Sequence, residues 1–303
     1  MRSTAMRSIA VRGTAMQSTF RVSALRSSFR GTRFWRQVFA FFVLLLLLGA
    51  LHCARAAMTA RPLEWQVDGQ TFSGFLVYDD ASERLRPGLV MAPDWMGVTP
   101  AAVDRAKALA GDRYVILVAD YYGKGVRPKD SAEAARLAGQ LRDGDRAALR
   151  ARIRAAVATL RAQAGPAGHA PLDVNRIGAF GFCLGGTTVL ELVRAGDKLA
   201  GVVTLHGDLT AGRRAVPGSV RTPVLILNGA DDKSVTAETI AAFQHEMNAG
   251  GADWQFVDFS GTVHCFALPA AGSDPTSNCR YNPVSARRAY RMMDDFFDEV
   301  FKR

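Results

Sequence analysis

One hexapeptide concentrates the chemistry of this chain: Gly181-Phe182-Cys183-Leu184-Gly185-Gly186. It follows the apolar stretch Arg176–Gly181 and precedes a helical stretch, Thr187–Ala195. A G-x-S-x-G turn between strand and helix holds a nucleophile above the end of a sheet, and here cysteine stands in the serine place. Glycines such as Gly181 and Gly185 flank the nucleophile because the turn leaves no room for side chains. A thiol at a helix N-terminus is favoured as thiolate by the helix dipole. The backbone N–H of Leu184 is placed to donate to an oxyanion. The competing reading of the same residues is a buried structural cysteine in a glycine-rich turn.

Two further groups complete a hydrolytic set. Gly229-Ala230-Asp231-Asp232-Lys233-Ser234-Val235 follows the apolar run Thr222–Asn228, and Gly261-Thr262-Val263-His264-Cys265-Phe266 follows Trp254–Phe259. An acid and a histidine just beyond strand ends lie on the functional rim of a parallel sheet. The chain order is nucleophile, acid, base: Cys183, Asp232, His264. This is the α/β-hydrolase order and not that of other triads. Of the adjacent acids, Asp232 is assigned to the triad and Asp231 to the turn.

These residues resemble the dienelactone hydrolase family, over most of Arg61–Arg303. Besides the three segments above, the resemblance rests on Pro93-Asp94-Trp95-Met96-Gly97 and on Ala119-Asp120-Tyr121-Tyr122-Gly123-Lys124-Gly125. By this resemblance Asp94 takes the place of an acid that contacts the resting thiol. The N–H of Trp95 becomes a second oxyanion donor, beside that of Leu184. Tyr122 and Lys124 line the substrate site, with Lys124 on a substrate carboxylate. One departure stands out. Where family members acting on dienelactone carry an arginine four residues after the histidine, this chain has Leu268. The resemblance therefore implies cleavage of a carboxylic ester or lactone through an acyl-thioester, with the natural substrate open. It implies no metal and no organic cofactor; the five histidines show no ligand spacing. The alternatives are a thiol or redox-active protein and a silent ligand-binding member of the same fold.

The elements that must position these residues read as short apolar strands separated by helices. The strands are expected over 71–78, 87–92, 114–119, 176–181, 199–205, 222–228 and 254–259. Helices are expected over 98–110, 131–164 with a break near Gly144, 187–195, 236–249 and 284–302. Strands apolar throughout and alternating with helices imply a doubly wound, mostly parallel sheet with helices on both faces, the α/β-hydrolase fold. No Pro/Gly-rich linker divides 57–303, so one domain is expected there.

The first 56 residues differ in kind. They hold nine arginines, no lysine and no acid, so the net charge of 38 − 28 = +10 falls to 10 − 9 = +1 over 57–303. That distribution argues against a nucleic-acid-binding domain, which keeps its charge on a folded face. Residues 1–36 are a ragged Arg/Ser/Thr/Ala repeat, and 38–51 is an unbroken apolar run. A membrane-spanning helix needs about twenty such residues. A basic region, a run of roughly 7–15 apolar residues and a small-x-small site describe a secretory signal. Ala54-Arg55-Ala56 supplies that site. Export to a periplasm or medium is expected, the alternative being an uncleaved N-terminal anchor. The partner expected is a small ester or lactone, with no nucleic acid, membrane contact only through the N-terminal segment, and a monomeric state.

Beyond the signal, three cysteines remain. Cys265 and Cys279 have thirteen residues between them. In an oxidising compartment they form a disulfide; otherwise they are two free thiols. His206 reads as a satisfied structural histidine, His169 and His245 as solvated, and the Arg/Ala-rich stretch 142–161 as a solvated helix face.

Overall fold

A computed structural model describes residues 58–165 and 170–303. The segment expected to act as an export signal, with its apolar run, and His169 lie outside the described residues. The elements run β1 (Met58–Val67), β2 (Gln70–Asp79), β3 (Arg86–Ala92), α1 (Pro100–Ala110), β4 (Val115–Val118), α2 (Ser131–Arg142) and α3 (Ala147–Arg161). They continue with β5 (Leu172–Phe182), α4 (Leu184–Arg194), β6 (Val202–Leu205), β7 (Val224–Gly229), α5 (Ala237–Gly250), β8 (Trp254–Phe259) and α6 (Pro283–Val300). The described strands form one eight-stranded sheet in the order β1-β2-β4-β3-β5-β6-β7-β8. From β4 to β8 every pairing is parallel. The hairpin β1–β2 adds an antiparallel edge through β2–β4.

The parallel strands are apolar throughout because both faces are covered. Along β3, Leu89 and Met91 pack into one core layer with α1 and α6 residues such as Val103 and Phe297. Val90 and Ala92 pack into the other with Ile153, Leu190 and Phe243. This is the two-residue period of a strand expressed against two helical layers. Among the described residues no helix is long and apolar enough to cross a membrane.

All seven expected strands are present, six of them with shifted ends, and β1 is an addition. Its sequence, MTARPLEWQV, carries charge and a proline and has no clean alternation. An edge strand tolerates that proline because one side of it lacks a ladder partner. The signal that marks it is Asp68-Gly69, both in the left-handed region (φ 49° and 77°), joining Val67 to its partner Gln70. Asp-Gly between strands is a two-residue hairpin turn. The helical stretch 131–164 breaks at Gly144, as its composition implies. Its second half is a solvated face only in part: Arg154 and Arg161 are exposed. Arg146 and Arg150 are buried, and both guanidinium groups reach the fully buried Glu191 of α4, at 3.5 Å and 2.8 Å. A buried carboxylate requires such partners, and Glu191 lies 41 residues beyond Arg150 in sequence.

Candidate active site

Cys183 sits between β5 and α4 with φ 52° and ψ −118°, a backbone state rare for a residue with a side chain. The surrounding packing holds it there. A Cβ on Gly181 would lie 2.2 Å from the carbonyl oxygen of Gly185, and one on Gly185 would lie 2.0 Å from that of Ala92. Both glycines are steric requirements of the turn. The Cys183 N–H donates to the Leu205 carbonyl of β6 at 3.1 Å, which ties the turn to the sheet. Leu184 opens α4, so its own N–H has no carbonyl one turn back to bond to.

The loops after β7 and β8 bring their side chains to this point. His264 Nε2 lies 3.1 Å from Cys183 Sγ, and His264 Nδ1 lies 2.6 Å from Asp232 Oδ2. Asp232 is buried, and its other oxygen accepts the Ser234 N–H at 2.8 Å and the Asn278 side-chain amide at 3.2 Å. Burial alone would push the His264 pKa down. The hydrogen bonds to Asp232 and Cys183, and the charges on both, outweigh it and raise the pKa to about 10. Burial likewise opposes ionisation of Asp232. Its bond from His264, the charge on that ring and the donors Ser234 and Asn278 bring it below the usual carboxylate value. The set favours a protonated His264 ring held between the Cys183 sulfur and the Asp232 carboxylate. Asp231 instead donates its N–H to the Thr262 carbonyl and points outward as a turn residue.

A cavity of about 470 Å³ opens over Cys183. Asp94, Trp95, Leu184, His264, Leu268 and the Cys265–Cys279 pair line it, with Ala138 and Arg142 from α2. The two cysteines are joined, with Sγ atoms 2.10 Å apart. Cys183 is the one free thiol among the described residues. Asp94 reaches the cavity, but its carboxylate accepts the Met96 N–H at 2.9 Å, and the thiol's hydrogen-bond partner is His264.

Two expected substrate contacts are corrected. Lys124 does not line the cavity; its Nζ lies 2.8 Å from Glu64 of β1, an exposed ion pair. The unforeseen strand β1 supplies the carboxylate that draws it away. Tyr122 is buried behind the cavity wall, where its hydroxyl donates to the Trp95 carbonyl at 2.8 Å. The neighbouring Tyr121 hydroxyl donates towards the carbonyls of Pro93 (2.8 Å) and Asp94. The two tyrosines thus hold the backbone that presents the Trp95 N–H. Asp120 organises their loop, accepting N–H groups from Ser73, Tyr122 and Gly123.

Sequence reasoning missed Arg142 and Asn278. Among the described residues, Arg142 is the one arginine or lysine lining the cavity, and Asp94 is the one acid there. A basic residue in the last turn of a helix gives no hint of this, because only the tertiary placement of α2 brings it to the cavity. His206 is also corrected. It is buried beside His264, with ring centroids 5.0 Å apart, yet neither ring nitrogen has a hydrogen-bond partner among the described residues. Burial, and then the charge on His264, push its pKa well below the ordinary value, so it stays neutral.

Comparison with known proteins identifies the family and the fold. Residues 72–301 match the dienelactone hydrolase family. The structure named m3DLH superposes with a TM-score of 0.73 at 36% identity, covering 81% of this chain and 99% of that one. A dienelactone hydrolase-like promiscuous phosphotriesterase from metagenomic libraries gives 0.71 at 31% identity, covering 80% and 99%. Among curated proteins, the uncharacterized protein K02A2.1 of Caenorhabditis elegans is 29% identical over 133 residues, 43% of this chain and 84% of that protein. The chain belongs to the dienelactone hydrolase family, and its broad class of activity is ester hydrolysis.

Proposed function

We propose that the protein hydrolyses carboxylic esters or lactones through Cys183, His264 and Asp232, with an acyl-thioester intermediate. The observation that carries this is the continuous relay Cys183 Sγ–His264 Nε2 and His264 Nδ1–Asp232 Oδ2, at 3.1 Å and 2.6 Å, opening into a cavity. The thiolate attacks the carbonyl carbon. The N–H groups of Leu184 and Trp95 receive the oxyanion, each such donor contributing about 3 kcal/mol. As the tetrahedral adduct collapses, the His264 imidazolium gives its proton to the leaving alkoxide. Water then attacks the thioester while neutral His264 takes a proton from it, and collapse expels the thiolate and the carboxylic acid. Protein groups and water supply every step.

Leu268 makes the cavity apolar where a carboxylate clamp would stand, and Lys124 is paired elsewhere. Arg142 at the rim supports a substrate whose polar or anionic end leaves the cavity on the α2 side. The disulfide supports the export reading, since such bridges persist in oxidising compartments. It also counts against a redox role for Cys183, whose two potential partners are bound to each other.

The test is a panel of aryl esters, small lactones and one aryl phosphotriester, assayed with wild type and Cys183→Ala. Turnover of at least one ester or lactone that the substitution abolishes supports the proposal. Turnover that survives Cys183→Ala removes the mechanism, and turnover of the phosphotriester alone removes the substrate class.

A further inference from the structure

Asp232 and His264 come from different loops, so some element must hold those loops in register. The segment 274–282 does so. Cys279 pairs with His264 as a β-bridge, and the Arg280 N–H donates to the His264 carbonyl at 3.0 Å. Next door, Asn278 reaches the acid loop three ways. Its side-chain amide donates to Asp232 Oδ1 and to Ser234 Oγ, each at 3.2 Å, and its side-chain carbonyl accepts the Lys233 N–H at 3.1 Å. The covalent anchor of this segment is Cys265–Cys279, which joins the residue after His264 to the residue after Asn278. Cys265 itself is in the left-handed region at φ 60°, a state that persists only where surroundings over-determine it. Apart from the bridge at Cys279, residues 272–282 have neither helix nor strand of their own.

We propose that Asn278 is a positioning residue for the relay, and that the Cys265–Cys279 disulfide delivers it, so that turnover depends on this bond being oxidised. Asp232 offers one oxygen to His264, and a carboxylate with a free second oxygen can rotate away from the ring. The Asn278 amide and the Ser234 N–H occupy that second oxygen and fix the first on His264 Nδ1. The bond stabilises the ionised carboxylate. Breaking the disulfide takes two electrons and two protons. A trialkylphosphine supplies the electrons and becomes the phosphine oxide with oxygen from water, leaving two thiols. The segment then keeps only hydrogen bonds to hold Asn278 over Asp232. Cys183, outside any disulfide and already reduced, is not altered by the phosphine.

The proposal rests on the reading of Cys183, His264 and Asp232 as the reacting relay, and its test separates the two. The full chain is compared as wild type, Asn278→Leu and Asn278→Gln, each with and without phosphine, with circular dichroism confirming the fold. Asn278→Leu is expected to lower kcat about tenfold with KM within about twofold, the loss of a hydrogen bond to a charged group. Asn278→Gln, which keeps the amide, should recover part of that loss. Phosphine should lower kcat of wild type several-fold but leave Asn278→Leu within about twofold, because the two changes remove one interaction. The rate of iodoacetamide alkylation at Cys183, read on its own peptide by mass spectrometry, should fall in step with kcat. An unchanged kcat in Asn278→Leu overturns the proposal. So does a rise in KM alone, or an equal response of both proteins to phosphine. If wild type turns over no ester, the hydrolase reading fails, and alkylation alone decides: equal rates at Cys183 in wild type and Asn278→Leu overturn the positioning role. If a variant does not fold, phosphine treatment of wild type decides by the same alkylation rate: a fall supports the proposal, and an unchanged rate overturns it.

Discussion

The turn that carries Cys183 and the segment from Cys265 to Asn282 both present groups at the mouth of one cavity, by different means. In the turn, sterics do the work: Gly181 and Gly185 exist because backbone atoms stand 2.2 Å and 2.0 Å from where their Cβ atoms would be. In the segment, polar bonds and a disulfide do it: Arg280 to His264, Asn278 to Asp232, Cys265 to Cys279. Packing contacts inside a sheet cannot be released one at a time, whereas a hydrogen-bonded loop can. Cys183 therefore has a rigid seat, and Asp232 and His264 have an adjustable one.

The comparison breaks first at the turn. Gly185→Ala should destabilise the protein by more than about 4 kcal/mol or prevent folding, because the new methyl meets backbone rather than a movable side chain. Urea unfolding checks this, and a near-neutral result would show that the turn can shift after all. Asp232→Asn leaves the seat intact and should cost a factor on the order of 10³–10⁴ in kcat by losing the charge that braces the imidazolium. Its pH signature has a definite sign. The raised His264 value means a stabilising contribution fully present below 6.5 and lost as pH rises through about 10. The lowered Asp232 value means a contribution present above 3.8 and lost as pH falls through the depressed value. The gap in urea midpoint between wild type and Asp232→Asn should therefore be widest between 3.8 and 6.5 and close towards pH 10.

Smaller effects sharpen the cavity walls. Arg142→Ala should raise KM for anionic aryl esters by about tenfold and leave neutral esters within about twofold, as expected for loss of one charged contact. Equal effects on both substrates would place Arg142 outside the binding path. Tyr122→Phe removes one hydrogen bond to the Trp95 carbonyl and should lower kcat by about three- to tenfold, with KM nearly constant. Lys124→Ala should change neither kcat/KM nor stability by more than about 0.5 kcal/mol, since the partner of its ammonium is the exposed Glu64. A tenfold loss of kcat/KM there would return Lys124 to the site.

The difference between the two regions also explains what is legible in the residues alone. The elbow is readable because glycine spacing records a local steric need, and the chain order of Cys183, Asp232 and His264 records the order of strand ends. The fold class follows from strands apolar on both faces. The edge strand β1 is not readable in the same way, since its proline and charges suit a position that only the neighbouring β2 defines. Lys124 matches a motif by position, yet Glu64, 60 residues away, decides where its ammonium goes. Arg142 and Asn278 sit in stretches without any motif. His206 reads as a satisfied core histidine, but the aromatic rings of Phe182, His264 and Phe266 around it offer no hydrogen-bond partner.

By itself, then, the order of residues determined the layered sheet, the strained cysteine turn and which acid and histidine belong with it, because these depend on short-range sterics and on strand periodicity. Only the tertiary structure decided which charges face the cavity, that Cys265 and Cys279 are joined, and what braces Asp232. Those contacts join residues as far as 60 positions apart in the chain. Their energies come from desolvation and from bonds across loops, which no local pattern encodes.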